Sequence, residues 1–390
     1  MKRTFDTGNA AITEGAIAAG CRVFAGYPIT PATEIAEAMS RRLPQVGGTY
    51  LQAEDECAAL HICNGASLGG LKAMTATSGP GFILFADPLG WALSAEIPVV
   101  VVDAQRVGPV SGITGAPGQG EFYLSRYPTH GGNYEVIVLA PSSVQEAFRL
   151  TVTAFALAER FRMPVTLLAD QMVTDGWEAL QVPETAEELA AMGLEVVERR
   201  ANPGPEFFPA SDAIDVPPVV LGRGIGAACS DWTPDGRGLD TERIEAQHQH
   251  AHRLIHKVRS HRALLPPAEA IGLEDDPELV LVSYGTPSRV MKSAVQAARE
   301  RGLRVGGIRL VTLWPFPDEL FRRKARYLTL ELNWDGQLVR EVQRAAAPGS
   351  EVHFLGRCGE LPRVAELVEA AETLLQGGAL ARRGWDVEAW

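Results

Sequence analysis

Two stretches of this 390-residue chain set proton- or carboxylate-handling side chains beside residues that bend or stiffen the backbone. Gln52-Ala53-Glu54-Asp55-Glu56 leads into Cys57–Ser67, a run of alanine, glycine and other small residues. That run reads as a helix open to close approach by another backbone or a ligand. Three acids at its start suit the helix dipole on structural grounds alone. A carboxylate entering an apolar helix can also be desolvated, which raises its pKa and lets it share a proton with a heterocyclic nitrogen. The second stretch, Gly26-Tyr27-Pro28-Ile29-Thr30-Pro31, follows a strand-like run. Its prolines fix φ and bias their predecessors away from the helical region, so the Thr30 hydroxyl is offered from a stiff turn; Pro31 opening a helix would explain the pattern equally well. Two further turns fit the same scheme. Thr77-Ser78-Gly79-Pro80-Gly81-Phe82 can turn backbone N–H groups toward a ligand or cap a helix. Ala104-Gln105-Arg106-Val107-Gly108-Pro109 places Arg106 just past a strand end, where its planar fork could grip a carboxylate.

Positioning these groups falls to an alternation of short β-branched runs and helix-length segments. Arg22–Tyr27, Ala73–Thr77, Ile97–Asp103, Glu135–Ala140 and Pro164–Ala169 read as strands, spaced as crossover units of a parallel sheet covered on both faces. In open sheets of this kind, ligands bind at the carboxyl ends of the strands. The stretch from about 176 to 265 is different. It holds an acidic helical piece at Thr185–Leu194, a segment rich in proline and glycine at Asn202–Gly238, and a polar helix within Thr241–Leu265. Periodicity resumes at Leu279–Tyr284 and runs through Glu351–Leu355. The fold class is therefore α/β, with two parallel-sheet domains at 1–175 and 266–390 joined by an irregular arm at 176–265.

The composition excludes several classes. With 36 Lys+Arg against 48 Asp+Glu the formal charge is −12, which argues against nucleic acid or an anionic membrane as partner. No apolar run reaches the roughly 18–20 residues of a membrane span, and the N-terminus lacks the apolar core of a secretory signal, so cytoplasm is the expected location. Five cysteines, at 21, 57, 63, 229 and 358, form no Cys-x-x-Cys pair, so no disulfide framework, iron–sulfur cluster or zinc site has its usual ligands, and no metal residue is assigned.

Taken together, the motifs match one family in order, spacing and identity. The chain resembles the alpha subunit of the thiamine-diphosphate-dependent 2-oxoacid:ferredoxin oxidoreductases, closest to the 2-oxoglutarate type. The likeness is carried by Gly8-Asn9-Ala10-Ala11 through Gly15-Ala16, Tyr27-Pro28-Ile29-Thr30-Pro31, Glu54-Asp55-Glu56 with Ala58-Ala59 and Gly65-Ala66, Thr75–Gly81, Glu96-Ile97-Pro98 and Asp103–Arg106. It implies a pyrimidine-binding domain followed by one like the transketolase C-terminal domain. In such families the glutamate that activates the cofactor lies about nine residues before the Gly-Ala pair, which points to Glu56, with Glu54 as runner-up. The resemblance also implies cofactor contacts from Pro28, Ile29, Ser78 and Gly79, and substrate contacts from Thr30 and Arg106, the arginine facing the substrate carboxylate.

No Gly-Asp-Gly occurs in the chain. The family's Mg²⁺ and diphosphate grip, and its [4Fe-4S] cluster, are therefore expected on a beta subunit, with gamma and delta subunits possible in the complex. The implied reaction is coenzyme-A-dependent oxidative decarboxylation of a 2-oxo acid, with electrons passing to ferredoxin. Half of a non-redox thiamine decarboxylase is the alternative, and a non-catalytic scaffold a third. Val107–Gly118 departs from the Gly-Gly-Pro-Ser-Thr-Gly of many relatives, so relatives' side-chain specificity does not carry over. Val219–Ala227 mimics a dinucleotide fingerprint without the helix it must open. His248, His252 and His256 share a helical face, but interleaved cations favour a solvated or interface helix over a metal site.

Overall fold

The computed structural model describes residues 1–380 except 205, 223 and 225. Among the described residues fifteen strands are formed. They are β1 Lys2–Thr7, β2 Cys21–Gly26, β3 Thr49–Gln52, β4 Lys72–Thr77, β5 Val99–Val107, β6 Ile113–Pro117, β7 Ile137–Leu139 and β8 Pro164–Asp170, then β9 Trp177–Val182, β10 Glu269–Ile271, β11 Leu279–Tyr284, β12 Val305–Leu310, β13 Thr312–Trp314, β14 Arg326–Glu331 and β15 Glu351–Gly356. The first sheet runs β13-β7-β8-β5-β4-β2-β3, parallel except where β13 meets β7, with β6 paired to β5 off the path. β5 and β8 are buried along their whole length, which is why their apolar runs are continuous rather than alternating.

Helices cover both faces of that sheet. One core gathers α1 Gly8–Ala18, α2 Thr33–Arg42 and the long helix Val144–Phe161; the other gathers α3 Glu56–Leu68 and the helix Ala86–Ser94. The second sheet, β10-β12-β11-β14-β15, is parallel apart from β10, and the helices Pro287–Glu300 and Val364–Leu375 pack on it. Between β9 and β10 the described residues carry no strand. They do hold a helix at Ile244–Arg259, and Phe207, Phe208 and Val219 form a small core of their own.

Three features differ from the sequence reading. β1 pairs antiparallel with β9, a non-local partner that no alternation of residues announces. β13 leaves the C-terminal half to become an edge strand of the first sheet, and one hydrophobic core runs through both sheets. Strand β5 continues to Val107 because β6 folds back antiparallel on it, so Arg106 sits inside a strand and not past its end.

The arm is tied down by a buried ionic knot. Glu96, held at φ 50, accepts hydrogen bonds from Arg253 Nε at 2.7 Å and Nη2 at 2.9 Å and from Lys257 Nζ at 3.1 Å, with Arg162 Nε at 3.5 Å. Burial alone would push the Glu96 carboxyl up, but Arg162, Lys257 and Arg253 hold it below the usual carboxylate range; burial presses Lys257 down to about 7. Arg253 and Lys257, which the sequence assigned to a solvated or interface helix, are thus core groups. Of the arm histidines, His252 and His256 stack at 4.0 Å, while His250 is buried near Ser94, and among the described residues they form no group of three with metal-ligand spacing. The glycine-rich Val219–Ala227, of which residues 223 and 225 lie outside the described set, is followed by no helix among the described residues before Ile244. No helix among the described residues is long and apolar enough to cross a membrane.

Candidate active site

Helix α3 begins where β3 ends, at the carboxyl edge of the first sheet. Asp55 caps it by accepting from Ala58 N at 2.7 Å, and the next residue, Glu56, is turned inward to 4% exposure. Glu54 and Asp55 point to solvent. Thr77, the last residue of β4, donates its hydroxyl to Glu56 Oε1 at 3.3 Å. The short helix α4, Gly79–Phe82, then closes over the carboxylate. A Cβ on Gly81 would stand 2.1 Å from Glu56 Oε1 and 2.1 Å from Thr77 Oγ1, so only glycine permits this approach. The acid is held by one hydroxyl in a backbone cradle and shielded from water.

The other residues singled out from the sequence surround this point unequally. Ser78 is fully buried and its Oγ has no hydrogen-bond partner among the described residues. Gly79 faces Glu121, whose Oε1 would lie 2.6 Å from an added Cβ. Pro28 and Thr30 are exposed and Ile29 half-buried on the turn after β2; α2 starts at Thr33, two residues after Pro31. Arg106 follows Gln105 on β5. It is buried, donates from Nη1 to the Thr30 carbonyl at 2.6 Å, and leaves Nε without a protein partner. Arg106 and Thr30 therefore come together, the arginine bracing the turn that presents the threonine.

Three polar groups on this side of the sheet were assigned no role from the sequence: Glu121, and Asp103 and Gln105 of the motif that carries the family likeness. Asp103 and Gln105 alternate along β5 with Val99 and Val101, and so share the face that carries Thr77 and α3. Gln105 Nε2 donates to Glu121 Oε2 at 2.9 Å. Asp103 is fully buried with both oxygens unpartnered, and burial, reinforced by the charge of Glu121, lifts its carboxyl well above the usual carboxylate range. Burial lifts Glu121 as well, against the hydrogen bond from Gln105. The signal was present: an acid and an amide inside an otherwise apolar buried strand require either partners or a function. Exposed apolar side chains, Tyr27, Leu51, Ile83 and Leu84, belong to the segments that end β2 and β3 and follow α4, at the same edge of the sheet.

Comparison with known proteins fits this arrangement. A family model described as pyruvate flavodoxin/ferredoxin oxidoreductase, thiamine diphosphate-binding, matches residues 14–221, and one described as pyruvate:ferredoxin oxidoreductase core domain II matches 277–366. A 2-oxoglutarate synthase subunit KorA from Methanocaldococcus jannaschii is 43% identical over 376 residues, 95% of this chain and 99% of the relative. A ketoisovalerate oxidoreductase subunit VorB from Methanothermobacter thermautotrophicus is 36% identical over 356 residues, 90% and 92% of the two chains. A solved 2-oxoglutarate:ferredoxin oxidoreductase from Magnetococcus marinus, with 2-oxoglutarate, coenzyme A and succinyl-CoA bound, superposes with a TM-score of 0.86 at 27% identity; the match covers 95% of this chain and 65% of that longer one. A split-gene transketolase shares the fold alone, with a TM-score of 0.52 at 10% identity over 96% of this chain and 98% of that one.

Fold and family match thus define an α/β chain of the thiamine-diphosphate-dependent class. Within it the chain belongs to the 2-oxoacid:ferredoxin oxidoreductases, as an alpha subunit.

Proposed function

We propose that this subunit supplies the activating acid and the substrate grip for coenzyme-A-dependent oxidative decarboxylation of a 2-oxo acid to an acyl-CoA and CO₂, with two electrons passed to ferredoxin. The observation that carries the reading is Glu56, buried beside Thr77 under a glycine turn that any side chain would fill. That cradle fits the pyrimidine half of thiamine diphosphate. When bound, the cofactor supplies a carbon nucleophile for the 2-oxo carbon and an electron sink for the carboxylate that leaves. Glu56 holds the proton shared with a ring nitrogen, and the closed cradle keeps water from competing for it. Pro28, Ile29, Ser78 and Gly79 line the cofactor side, with the buried Ser78 hydroxyl free to bond it.

The Thr30 hydroxyl takes the oxo-acid head, and the free Nε of Arg106 faces the carboxylate, orienting the bond that breaks. The Val107–Gly118 loop leaves side-chain specificity open, and the relatives named 2-oxoglutarate synthase subunits, at 43% and 41% identity against 36% for the ketoisovalerate ones, make 2-oxoglutarate the first substrate to test. The diphosphate grip, Mg²⁺ and a [4Fe-4S] cluster fall to a beta subunit, since the chain has no Gly-Asp-Gly. The exposed apolar rim of Tyr27, Leu51, Ile83 and Leu84 offers that partner a dry surface. A complex that also holds gamma and delta subunits is compatible with this reading, and the cytoplasm is its expected location.

The test is to purify the complex and screen 2-oxo acids for coenzyme-A-dependent reduction of viologen or ferredoxin. Reduction with succinyl-CoA formation from 2-oxoglutarate is expected. A colourless complex releasing an aldehyde and CO₂ without reducing the acceptor would establish a non-redox decarboxylase instead.

A further inference from the structure

Cys57 and His61 stand four residues apart on α3, so both side chains rise from one face of that helix. The helix Ala86–Ser94 packs alongside and brings Asp87, in its first turn, over the same face. The two helices are locked together below this point. Leu60 and Cys63 share a core with Phe85, Leu89 and Ala92, and Asn64 Nδ2 donates to the Pro88 carbonyl at 3.0 Å. The three side chains therefore project from rigid elements, the arrangement that makes a ligand set precise.

One donor atom from each of Cys57, His61 and Asp87 lies within 4.8 Å of the other two, and His61 Nε2 is 3.2 Å from Asp87 Oδ2. A tetrahedral zinc ion, with Zn–N and Zn–O bonds of about 2.0–2.2 Å, holds such a nitrogen and oxygen roughly 3.3 Å apart, so this pair already has the spacing. With a Zn–S bond of about 2.3 Å the sulfur belongs roughly 3.6 Å from the nitrogen, and closing the remaining ångström or so is within a side-chain rotation. An exposed His–Asp pair by itself contributes little to stability and gives no reason for a thiol to share its space. His61 and Asp87 side chains are 40% and 80% exposed, so an ion can reach them and would keep one coordination position open. That position borders a cavity of about 640 Å³ whose walls include Trp91, His130 and Asp231.

We propose that Cys57, His61 and Asp87 form a binding site for a borderline-soft divalent cation, zinc being the ion whose ligand types and geometry they match, with the fourth position open to water or an added ligand. Thiolate and imidazole select against Mg²⁺ and Ca²⁺, which prefer oxygen. A bound ion would pin the first turn of α3, one residue from Glu56, to the neighbouring helix. The site stands independently of the catalytic reading, and its test needs no turnover.

The full chain, stripped with chelator, is titrated with Co²⁺ as spectroscopic probe. The expected result is one Co²⁺ per chain with a sulfur-to-cobalt charge-transfer band and the strong visible bands of tetrahedral cobalt, both bleached by Zn²⁺. Cys57→Ser should abolish the charge-transfer band, and His61→Ala and Asp87→Asn should each weaken binding at least tenfold, on the scale of lost metal-site interactions. Cys358→Ser, at the exposed cysteine, should change nothing. The proposal is overturned by a titration without the band, by a weak octahedral spectrum, or by a band that survives Cys57→Ser. Circular dichroism of each variant separates lost ligation from lost fold.

Discussion

At the scale of single residues, environment separates acids that look alike in sequence. Glu54 and Glu56 are two positions apart, yet only Glu56 turns under the Gly81 turn. Glu56→Gln should lower turnover of the reconstituted complex by about 10²–10⁴-fold, the usual worth of a positioned acid–base group, while Glu54→Gln stays near wild type; steady-state viologen reduction measures both. Gly81→Ala must push the turn off the carboxylate and should cost about 1–3 kcal/mol of stability as well as activity, read from thermal melts beside the rate assay. Asp103 provides a pH-dependent test. Its folded pKa lies above the unfolded value of about 3.9, so between the two the native state holds a proton that the unfolded chain has released, and stability falls as pH rises through that window. Asp103→Asn removes this loss. Its thermal midpoint should gain on wild type as pH rises and lose that advantage in acid; a difference independent of pH would show that Asp103 is ionised in the native protein. Glu56 could be singled out in the sequence because the family resemblance implies an acid nine residues before Gly65-Ala66. Glu121 could not be, because only the fold brings it to Gln105 and against Gly79.

At the scale of elements, the arm helix Ile244–Arg259 illustrates how charge pattern misleads. Arg253 and Lys257 look like the solvated face of a polar helix, and both are buried against Glu96. Periodicity reports spacing and not which face meets protein, and here an acid distant in sequence makes the cationic face the inner one. Removing that acid strands three buried cations. Glu96→Gln should therefore cost about 3–5 kcal/mol, while Lys257→Met, which leaves two arginines on the carboxylate, should cost nearer 1 kcal/mol. Urea midpoints give the order, and protease cleavage between residues 183 and 243 shows whether the arm has come loose. If the two variants are equally harmful, the knot is not centred on Glu96.

At the scale of the whole molecule, the two sheets act as one body. Gln119 is spent entirely on the C-terminal half: it donates to the Tyr284 carbonyl at 3.1 Å, accepts from Leu332 N at 3.0 Å, and its backbone bonds Leu332 O at 2.9 Å. Asp170, at the end of β8, accepts from Thr286 N at 2.7 Å and Thr286 Oγ1 at 2.5 Å. The outer face of the site, by contrast, carries apolar side chains left exposed by the described residues. Ile83→Asp, at a residue 58% exposed, should leave the subunit's own melting unchanged yet lower recovery of the partner in co-purification, as loss of an interface anchor worth about 2 kcal/mol or more would. Full recovery of the partner would place the interface elsewhere.

By itself the sequence determined the α/β class, the order of most strands and helices, and the likeness of the Glu56, Thr30 and Arg106 motifs to one family. These follow from local rules: apolar runs long enough to be buried strands, turns punctuated by glycine and proline, and spacing within one segment. Only the tertiary structure decided that β13 crosses into the first sheet, that Arg106 braces the Thr30 turn, and that Asp103 lies fully buried beside Thr77. It also decided that Cys57, His61 and Asp87 meet. Each of those depends on which faces of distant segments pack together, and that choice is made by the burial of the whole core rather than by any window of residues.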